Sequence, residues 1–295
     1  MLRRIGHMTA TALLAGLSVI AAPGPAMATV ADTTGTPPQV TNIAHRGASA
    51  YAPENTVAAF TAAADRRADM FEFDVQETRD HRLVLMHDTT LSRTTDAEQV
   101  FPGRAPWRVA DFTLAEIRRL DAGSWLDARF RGEPVPTLEE ALHAMHGSGL
   151  GALLEVKAPE RYPGIERRIA EALCRDPYWL ISDTWRSRLI VQGFDWDSMH
   201  RFHTLVPSVP IGLLGTPSPE RLPELAAFAD EINPTHEDVS GEYVDRVHKL
   251  GMKISAWTLD DPAAMRRVIA DGVDGVITNR PDVLAELLTV PRDAA

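Results

Sequence analysis

The chain has 295 residues, a single cysteine and a formal net charge of −11. Its length suits one large domain, since α/β barrels commonly have about 250 residues. The acidic balance argues against nucleic acid as a partner, and one cysteine excludes a disulfide within the chain. Cys174 lies in the helical pattern IERRIAEALCR, so we expect it in the core or at its boundary.

The first 28 residues have the pattern of a secretory signal. Two arginines at positions 3 and 4 precede an apolar stretch over residues 8–22, and residues 26–28 form an A-x-A cleavage site. The apolar stretch is too short to span a bilayer, which needs about 20 apolar residues. We therefore expect a secreted or extracytoplasmic protein after cleavage near Ala28, by the general or the twin-arginine route, with residues 29–38 as a flexible lead-in.

From residue 39 to residue 290, apolar runs of strand length alternate with helical patterns, which is typical of βα units and a parallel sheet. The strand runs are VTNIA, MFEFDV, RLVLMH, GALLEVK, LIVQGF, PIGLL, DEIN, MKISAWT and GVIT. Only ETRDH separates the second run from the third, whereas a parallel crossover needs a dozen or more residues. The third run is therefore predicted to return as an antiparallel hairpin, and the other eight to form a (β/α)8 TIM barrel.

A turn centred between Arg79 and Asp80 predicts the register of this hairpin. It places Glu72 opposite His87, and Asp74 opposite Leu85. Residues 88–136 follow and are the least regular part of the chain, with one helical piece at TLAEIRRL. We expect them to form an insertion at the catalytic face, or a small cap.

Charged residues two positions apart occur at the ends of two predicted strands. Glu72 and Asp74 share one face of FEFD, as do Glu155 and Lys157 in LEVK. Active sites of TIM barrels lie at the C-terminal ends of the strands, and three carboxylates there suit Ca²⁺ or Mg²⁺ better than zinc. The alternative is that Glu155 and Lys157 form only a buried ion pair.

Two histidines and an arginine also end strands. His45 ends the first run and His87 ends the hairpin, so both can reach the space above the carboxylates and divide the roles of general base and general acid. Taken singly, each histidine is more often structural. Arg46 and Lys157 would add the positive charge that a phosphoryl group needs.

Six segments, in this order from about residue 43 to about residue 284, resemble a glycerophosphodiester phosphodiesterase of the phosphatidylinositol phospholipase C-like superfamily. They are HRGASAYAPENT, FEFDVQETRDHRLVLMHD, VPTLEEAL, LLEVK, AWT and DGVITNRP. The resemblance implies metal-dependent hydrolysis of glycerophosphodiesters to glycerol 3-phosphate and an alcohol. It also implies residue roles, namely acid–base catalysis by His45 and His87, metal binding by Glu72, Asp74 and Glu155, phosphate or substrate contacts by Arg46, Lys157 and Trp257, and a supporting role for Glu54.

One departure from the family pattern falls in the hairpin turn. The family usually has a Lys-Asp-Gly turn here, but this chain reads TRDH, so His81 stands in place of glycine. A left-handed backbone at His81 would be somewhat strained, which puts the predicted register in doubt. Trp257 has a simpler alternative, an aromatic that packs at the barrel rim.

The sequence leaves three other functions open. The first is a related phospholipase D-like enzyme that acts on lysophospholipids or sphingomyelin. The second is an exported protein that binds phosphate esters without turnover. The third is a sugar-active barrel with two catalytic carboxylates, which explains neither histidine. The sequence does not determine the alcohol head group, the metal, the acid and base assignment, the route by water or by a cyclic phosphate, or the oligomeric state.

Overall fold

The structure is a computed structural model that describes residues 40–183 and 186–289. The predicted signal (residues 1–28) and lead-in (residues 29–38) lie outside the described residues. So do the two ends, residues 39 and 290, of the predicted barrel domain. Within the described part of the chain, no helix has the length and apolar character needed to cross a membrane.

Eight parallel strands of the described chain close into a barrel, as predicted. The described chain has eleven strands, of which β3, β5 and β6 are not barrel strands: β1 (Thr41–Ala44), β2 (Met70–Glu77), β3 (Leu83–Leu85), β4 (Gly151–Val156), β5 (Ser182–Asp183), β6 (Arg186–Ser187), β7 (Leu189–Gly193), β8 (Ile211–Leu214), β9 (Glu231–Asn233), β10 (Lys253–Ala256) and β11 (Gly275–Thr278). The hydrogen-bonded order is β1-β11-β10-β9-β8-β7-β4-β2, and pairing of β2 with β1 closes the ring. β5 and β6 pair antiparallel as a separate two-stranded sheet that the sequence did not predict.

A helix follows every barrel strand, after an insertion in the case of β2. The helices are α1 (Val57–Asp65), α2 (Ala97–Val100), α3 (Leu114–Ile117), α4 (Leu138–Ala144), α5 (Ile165–Arg175), α6 (Trp196–Leu205), α7 (Leu222–Leu225), α8 (Gly241–His248), α9 (Pro262–Asp271) and α10 (Pro281–Thr289). Their ends follow from local chemistry. In α9, for example, the Asp261 side chain accepts a hydrogen bond from the Ala264 N–H, Pro262 opens the helix, and Gly272 ends it at φ +95°.

The hairpin of β2 and β3 is present, but its predicted register is wrong by one residue. Val75 pairs with Leu85, and Glu77 pairs with Leu83. The turn has three residues centred on Asp80, because the Thr78 N–H bonds the carbonyl of Arg82 and His81 adopts the left-handed conformation, with φ 59°. Glu72 is therefore not opposite His87, nor Asp74 opposite Leu85. The Asp74 carbonyl instead accepts the N–H of Met86 at 3.0 Å.

Residues 88–136 contain α2, α3 and two short 3₁₀ segments together with their own small core. This core packs on Val84 of β3 and on Met86, which directly follows β3, and its buried members within the segment are Leu91, Ala97, Val109, Phe112, Ile117, Leu120, Ala122 and Val135. The segment is thus anchored to the strand that ends just before His87. It carries side chains to the catalytic face of the barrel, where two of them enter the polar network described below.

The main core lies between the sheet and the helices, and a smaller apolar layer fills the lower barrel. The aromatic rings of Phe60 and Phe71 pack against each other at a tilt in the main core, with 4.7 Å between their centroids. Ile43, Met70, Leu153 and Ile277 form the layer inside the barrel. Above this apolar layer, the polar side chains of the same strands lie at the C-terminal mouth of the barrel. The prediction for Cys174 was wrong, because α5 buries Ile165, Ile169 and Leu173 while Cys174 is exposed.

Candidate active site

Three buried carboxylates converge at the C-terminal ends of β2 and β4. One oxygen from each of Glu72, Asp74 and Glu155 lies within 4.8 Å of the other two. The strands bring them together because Asp74 pairs in register with Glu155, and Glu72 lies two residues earlier on the same face. The sequence predicted this convergence.

The carboxylates have few hydrogen-bond donors within the described chain. Glu72 Oε2 accepts the backbone N–H of Arg46 at 2.7 Å, but Glu72 Oε1 is buried without a partner there. Burial and the neighbouring charge of Asp74 raise the pKa of Glu72 well above its usual value, and the same two causes raise the pKa of Glu155 to about 8. Lys157 and Arg46 lower the pKa of Asp74 despite its burial. The protein alone therefore cannot easily hold all three groups ionised.

Two cationic side chains flank the carboxylates. Lys157 Nζ lies 2.7 Å from Glu155 Oε1 and 3.3 Å from Asp74 Oδ1. Arg46 Nε lies 3.5 Å from Asp74 Oδ2. The ion pair of Glu155 and Lys157 that the sequence left open is thus present, and it is part of the carboxylate cluster rather than an alternative to it.

Asn55 completes the surroundings of Asp74 and was not predicted as a site residue. Its amide nitrogen donates to Asp74 Oδ2 at 2.8 Å, and its amide oxygen accepts the backbone N–H of Asp74 at 3.0 Å. Asn55 has φ 59° and is buried, so the bend in PENT points its side chain back into the barrel mouth. This double hydrogen bond fixes the orientation of the Asp74 carboxylate.

A second layer of charge connects the cluster to the insertion. Glu54 bridges Arg46 and Arg93, with Arg46 Nη1 at 2.9 Å and both terminal nitrogens of Arg93 at 2.8 Å. Arg93 also donates to both oxygens of Asp88, at 2.7 and 3.0 Å. Glu54 was predicted to support the site, whereas Arg93 and Asp88 were missed because they come from the irregular segment.

The network has more acidic than basic groups when all are ionised. Its described members are the carboxylates Glu54, Glu72, Asp74, Asp88 and Glu155 and the cations Arg46, Arg93 and Lys157. With five negative and three positive charges, the net charge of this network is −2. A divalent cation beside the three buried carboxylates would neutralise this balance.

His45 lies at the end of β1 in a hydrogen-bonded setting of its own. Its Nδ1 is 2.8 Å from Asn279 Oδ1, and Asn279 in turn bonds Asp260. Burial, followed by the charge of Arg46, lowers the pKa of His45 to about 4. The ring is therefore neutral at physiological pH. Asn279 and Asp260 lie in loops after β11 and β10, and sequence reasoning did not select them.

His87 follows β3 and faces the same mouth of the barrel. Its Nδ1 lies 2.7 Å from Asp88 Oδ1. The buried amide of Gln76 donates to the carbonyls of residues 86–88, at 2.8, 3.1 and 2.5 Å, and accepts the Tyr162 hydroxyl at 2.8 Å. Burial lowers the pKa of His87, while Asp74 and Asp88 oppose that shift. Gln76 and Tyr162 thus hold the backbone that carries His87.

The two histidines line two separate clefts. A cleft of about 450 Å³ is lined by His87, Lys157, Phe194 and Asp195, among others. A second cleft, of about 320 Å³, is lined by His45, Arg46, Ser49, Glu54, Asp260, Asn279 and neighbouring residues. The cluster network borders both clefts, through Lys157 in one and Arg46 in the other.

Trp257 lies at the rim, next to the larger cleft. Its ring meets that of Phe194 edge to face, with 5.7 Å between centroids, and its indole N–H donates to the carbonyl of Asn233 at 2.7 Å. Phe194 is 54% exposed and lies 6.0 Å from Lys157 Nζ. The packing alternative for Trp257 is therefore compatible with its position. Gln192 and Asn233 bond each other in the barrel interior.

The fold and the polar cluster at its C-terminal mouth define a TIM-barrel enzyme. The sequence model of the Glycerophosphoryl diester phosphodiesterase family matches residues 45–283. This match covers most of the chain and includes the residues of the barrel mouth from His45 to Asn279. The chain belongs to this family of enzymes, as the sequence motifs predicted.

Individual relatives agree with the family match. The chain is 37% identical over 247 residues to YhdW of Bacillus subtilis, covering 82% of this chain and 95% of that protein. It is 36% identical over 250 residues to a glycerophosphodiester phosphodiesterase of Caldanaerobacter subterraneus, covering 83% and 96%. A solved phosphodiesterase of Oleispira antarctica, in complex with its product sn-glycerol-3-phosphate, is similar in fold, with a TM-score of 0.72, 29% identity and coverage of 86% and 97%.

Proposed function

We propose that this protein hydrolyses glycerophosphodiesters to glycerol 3-phosphate and an alcohol, using a divalent cation and two histidines. The observation that carries the proposal is the convergence of three carboxylate oxygens within 4.8 Å, with Glu72 Oε1 buried and unpartnered in the described chain. The family supports the phosphodiester substrate, and the product complex of the Oleispira antarctica relative supports release of glycerol 3-phosphate.

The donor set fits Ca²⁺ or Mg²⁺. Glu72, Asp74 and Glu155 offer only oxygen ligands, and the −2 balance of the surrounding network matches one divalent charge. A bound cation would polarise the phosphoryl group and offset the charge that develops on its nonbridging oxygens. Arg46 and Lys157 lie on two sides of the carboxylates, so a phosphate held there would also meet two fixed positive side chains.

The surroundings of the two imidazoles suit different proton-transfer roles. His45 faces a neutral amide and has a pKa lowered to about 4 by burial, so it is available as a proton acceptor. Burial lowers the pKa of His87 too, but the carboxylate of Asp88 opposes that shift and favours the charged imidazolium, so His87 suits a proton donor better than His45 does. We therefore assign the general base to His45 and the general acid to His87.

The two clefts suit the two arms of a phosphodiester. With the phosphate at the cluster, one arm would enter the cleft lined by His45 and the other the cleft lined by His87. A proton donor must lie next to the departing oxygen. We therefore expect the leaving alcohol in the larger cleft, beside Phe194, and the glycerol in the smaller one.

The predicted signal extends the proposal to location. Residues 1–28 combine two arginines, an apolar stretch and an A-x-A site. We propose that the enzyme works outside the cytoplasm, with cleavage near Ala28. Mass spectrometry of protein recovered from the medium or the periplasm would test this, and an intact N-terminus in the cytosolic fraction would contradict it.

A specific observation favours one rival substrate class. Trp125 and Leu126 are exposed in the insertion, at 38% and 37% of their surface. An apolar surface on this segment would suit an enzyme that approaches micelles or membranes, such as one acting on lysophospholipids or sphingomyelin. Replacement of both residues by serine distinguishes this function from the proposed one. Activity on micellar substrates should fall, whereas activity on glycerophosphodiesters should not change.

The test of the proposed function is product release. Purified protein is incubated with glycerophosphocholine and glycerophosphoethanolamine, and glycerol 3-phosphate is measured with and without a chelator, followed by add-back of Ca²⁺ or Mg²⁺. We expect release that stops with chelator and returns with metal. Activity that ignores the chelator would contradict the metal site, and binding without turnover would indicate a phosphate-ester binding protein instead.

A further inference from the structure

We propose that Asn279, held by Asp260, is the positioning residue that fixes the tautomer and orientation of the His45 ring. The inference rests on the proposed function only in so far as His45 acts in catalysis. Its structural basis, a chain of hydrogen bonds from Asp260 through Asn279 to His45, is independent of the metal site. It assigns a role to two loop residues, Asp260 after β10 and Asn279 after β11.

Asp260 binds Asn279 at two points. The backbone N–H of Asn279 donates to Asp260 Oδ1 at 2.9 Å, and its side-chain amide donates to Asp260 Oδ2 at 2.6 Å. The hydroxyl of Thr278 adds a third hydrogen bond to Oδ1, at 3.1 Å. Although Asp260 is solvent exposed, both of its oxygens are therefore engaged by the segment that follows β11.

This clamp determines which way the Asn279 amide faces. A carboxylate accepts hydrogen bonds and cannot donate them, so the NH₂ group of Asn279 must face Asp260. Asn279 Oδ1 then faces His45 Nδ1 at 2.8 Å. Ser49 Oγ lies 2.7 Å from the same oxygen and 2.8 Å from the His45 carbonyl, and its one proton can donate to either acceptor.

The orientation of the amide in turn determines the tautomer of His45. Because Asn279 Oδ1 is only an acceptor, the proton between it and the imidazole belongs to His45 Nδ1. The lone pair of a neutral ring is then on Nε2, the nitrogen not bound to Asn279. A ring with its proton on Nε2 would set two lone pairs against each other at 2.8 Å. Asn279 thus keeps Nε2 ready to accept a proton.

The first test observes the tautomer directly and needs neither metal nor substrate. Protein labelled with ¹⁵N-histidine is studied by NMR at pH 7, and the His45 ring is assigned by the signals that disappear in His45→Ala. We expect Nδ1 protonated and Nε2 unprotonated in the wild type. Asn279→Leu, which has no acceptor oxygen for His45 Nδ1, should lose this preference.

The second test measures turnover. Asp260→Asn frees the Asn279 amide to rotate, so kcat should fall about tenfold while KM changes little, since misplacement of a proton-transfer group affects the reaction more than binding. The matched control is Asp261→Asn at the neighbouring residue. Its carboxylate caps α9, and asparagine caps a helix equally well, so this variant should keep wild-type kinetics.

Three results would overturn the inference. They are a wild-type His45 with its proton on Nε2, an Asn279→Leu variant that keeps the Nδ1 proton, and an Asp260→Asn variant with wild-type kcat. Failure of the proposed function would give a different result. Normal turnover in His45→Ala would show that the His45 ring has no catalytic role, whereas the NMR experiment would still report whether Asn279 fixes its tautomer. The inference is supported if the wild-type His45 ring carries its proton on Nδ1 and the Asn279→Leu variant loses this preference.

Discussion

Replacement of Glu231 by glutamine is expected to stabilise the protein above pH 7 without loss of turnover. Glu231 begins β9, and its side chain is only 5% exposed. Glu231 lies opposite Gly212 on β8, which lies opposite Gln192 on β7, which in turn lies opposite Glu155 on β4. Because Glu155 points into the barrel, Glu231 does so too. Ser255 donates a hydrogen bond to it. Burial nevertheless raises the pKa of Glu231 to about 7.

The size of the effect follows from that pKa. Relative to the ordinary value of 4.5, the shift is about 2.5 pH units, and each unit corresponds to 1.36 kcal/mol, which gives about 3 kcal/mol. Between pH 4.5 and pH 7 the folded protein keeps a proton that the unfolded chain releases. The contribution of Glu231 to the free energy of unfolding is therefore fully present below pH 4.5 and is lost as the pH rises through 7.

The assay is urea unfolding of wild type and Glu231→Gln at pH 5 and pH 8. Glutamine keeps an acceptor for Ser255 and carries no charge, so the variant should gain about 2.5 kcal/mol more at pH 8 than at pH 5, where a small part of the effect is already present. The matched control is Glu242→Gln on the surface of α8. An equal gain at both pH values would refute the reasoning, and loss of turnover would give Glu231 a functional role.

Three further predictions concern the site. His45→Ala or His87→Ala should each lower kcat by about 10²-fold or more with an unchanged melting temperature; near-normal turnover in both would contradict acid–base catalysis. Arg93→Met should lower kcat/KM about tenfold by freeing Glu54. The control is Arg108→Met, because the Arg108 side chain is exposed and pairs only with Asp111 among the ion pairs of the described residues; an equal loss there would contradict this. Glu155→Gln should raise the melting temperature in chelator and abolish turnover, because burial raises the Glu155 pKa to about 8; retained turnover would contradict metal binding there.

The barrel and the acidic cluster could be predicted because both depend on strand periodicity. Apolar runs separated by helical patterns gave the eight strands, and a five-residue gap was too short for a parallel crossover. The spacing of Glu72 and Asp74 by two residues placed both on one face of β2, and the same rule placed Glu155 on β4. Alternation along a strand is a local property, so it can be read without knowledge of the fold.

The hairpin register could not be predicted because it depends on the conformation of one residue. A two-residue turn at Arg79 and Asp80 would have given the expected pairing. His81 in the left-handed conformation adds a third residue to the turn and moves every pair by one. The Glu77 carboxylate binds the His81 ring, and Asp80 accepts hydrogen bonds from Thr78 and Leu114. Contacts outside the turn therefore help to decide its geometry.

The site residues that the sequence missed lie in loops and act through partners distant in the chain. Arg93 reaches Glu54 across 39 residues, and Asn279 reaches His45 across 234. Sequence periodicity does not indicate such contacts, since side chains in loops do not alternate in direction as they do along a strand. Asn55 is the exception, because its place directly after Glu54 in PENT could have indicated a role. The pairing of Lys157 with both Glu155 and Asp74 likewise required the register of two strands.

The central claim is that the three carboxylates bind a divalent cation. Isothermal titration calorimetry of chelator-treated protein with Ca²⁺ and with Mg²⁺ tests it most directly, using Glu72→Gln as the variant and Glu242→Gln as the surface control. The account predicts one bound ion per chain in wild type and control, and none in Glu72→Gln. No binding in the wild type, or equal binding in Glu72→Gln, would contradict it.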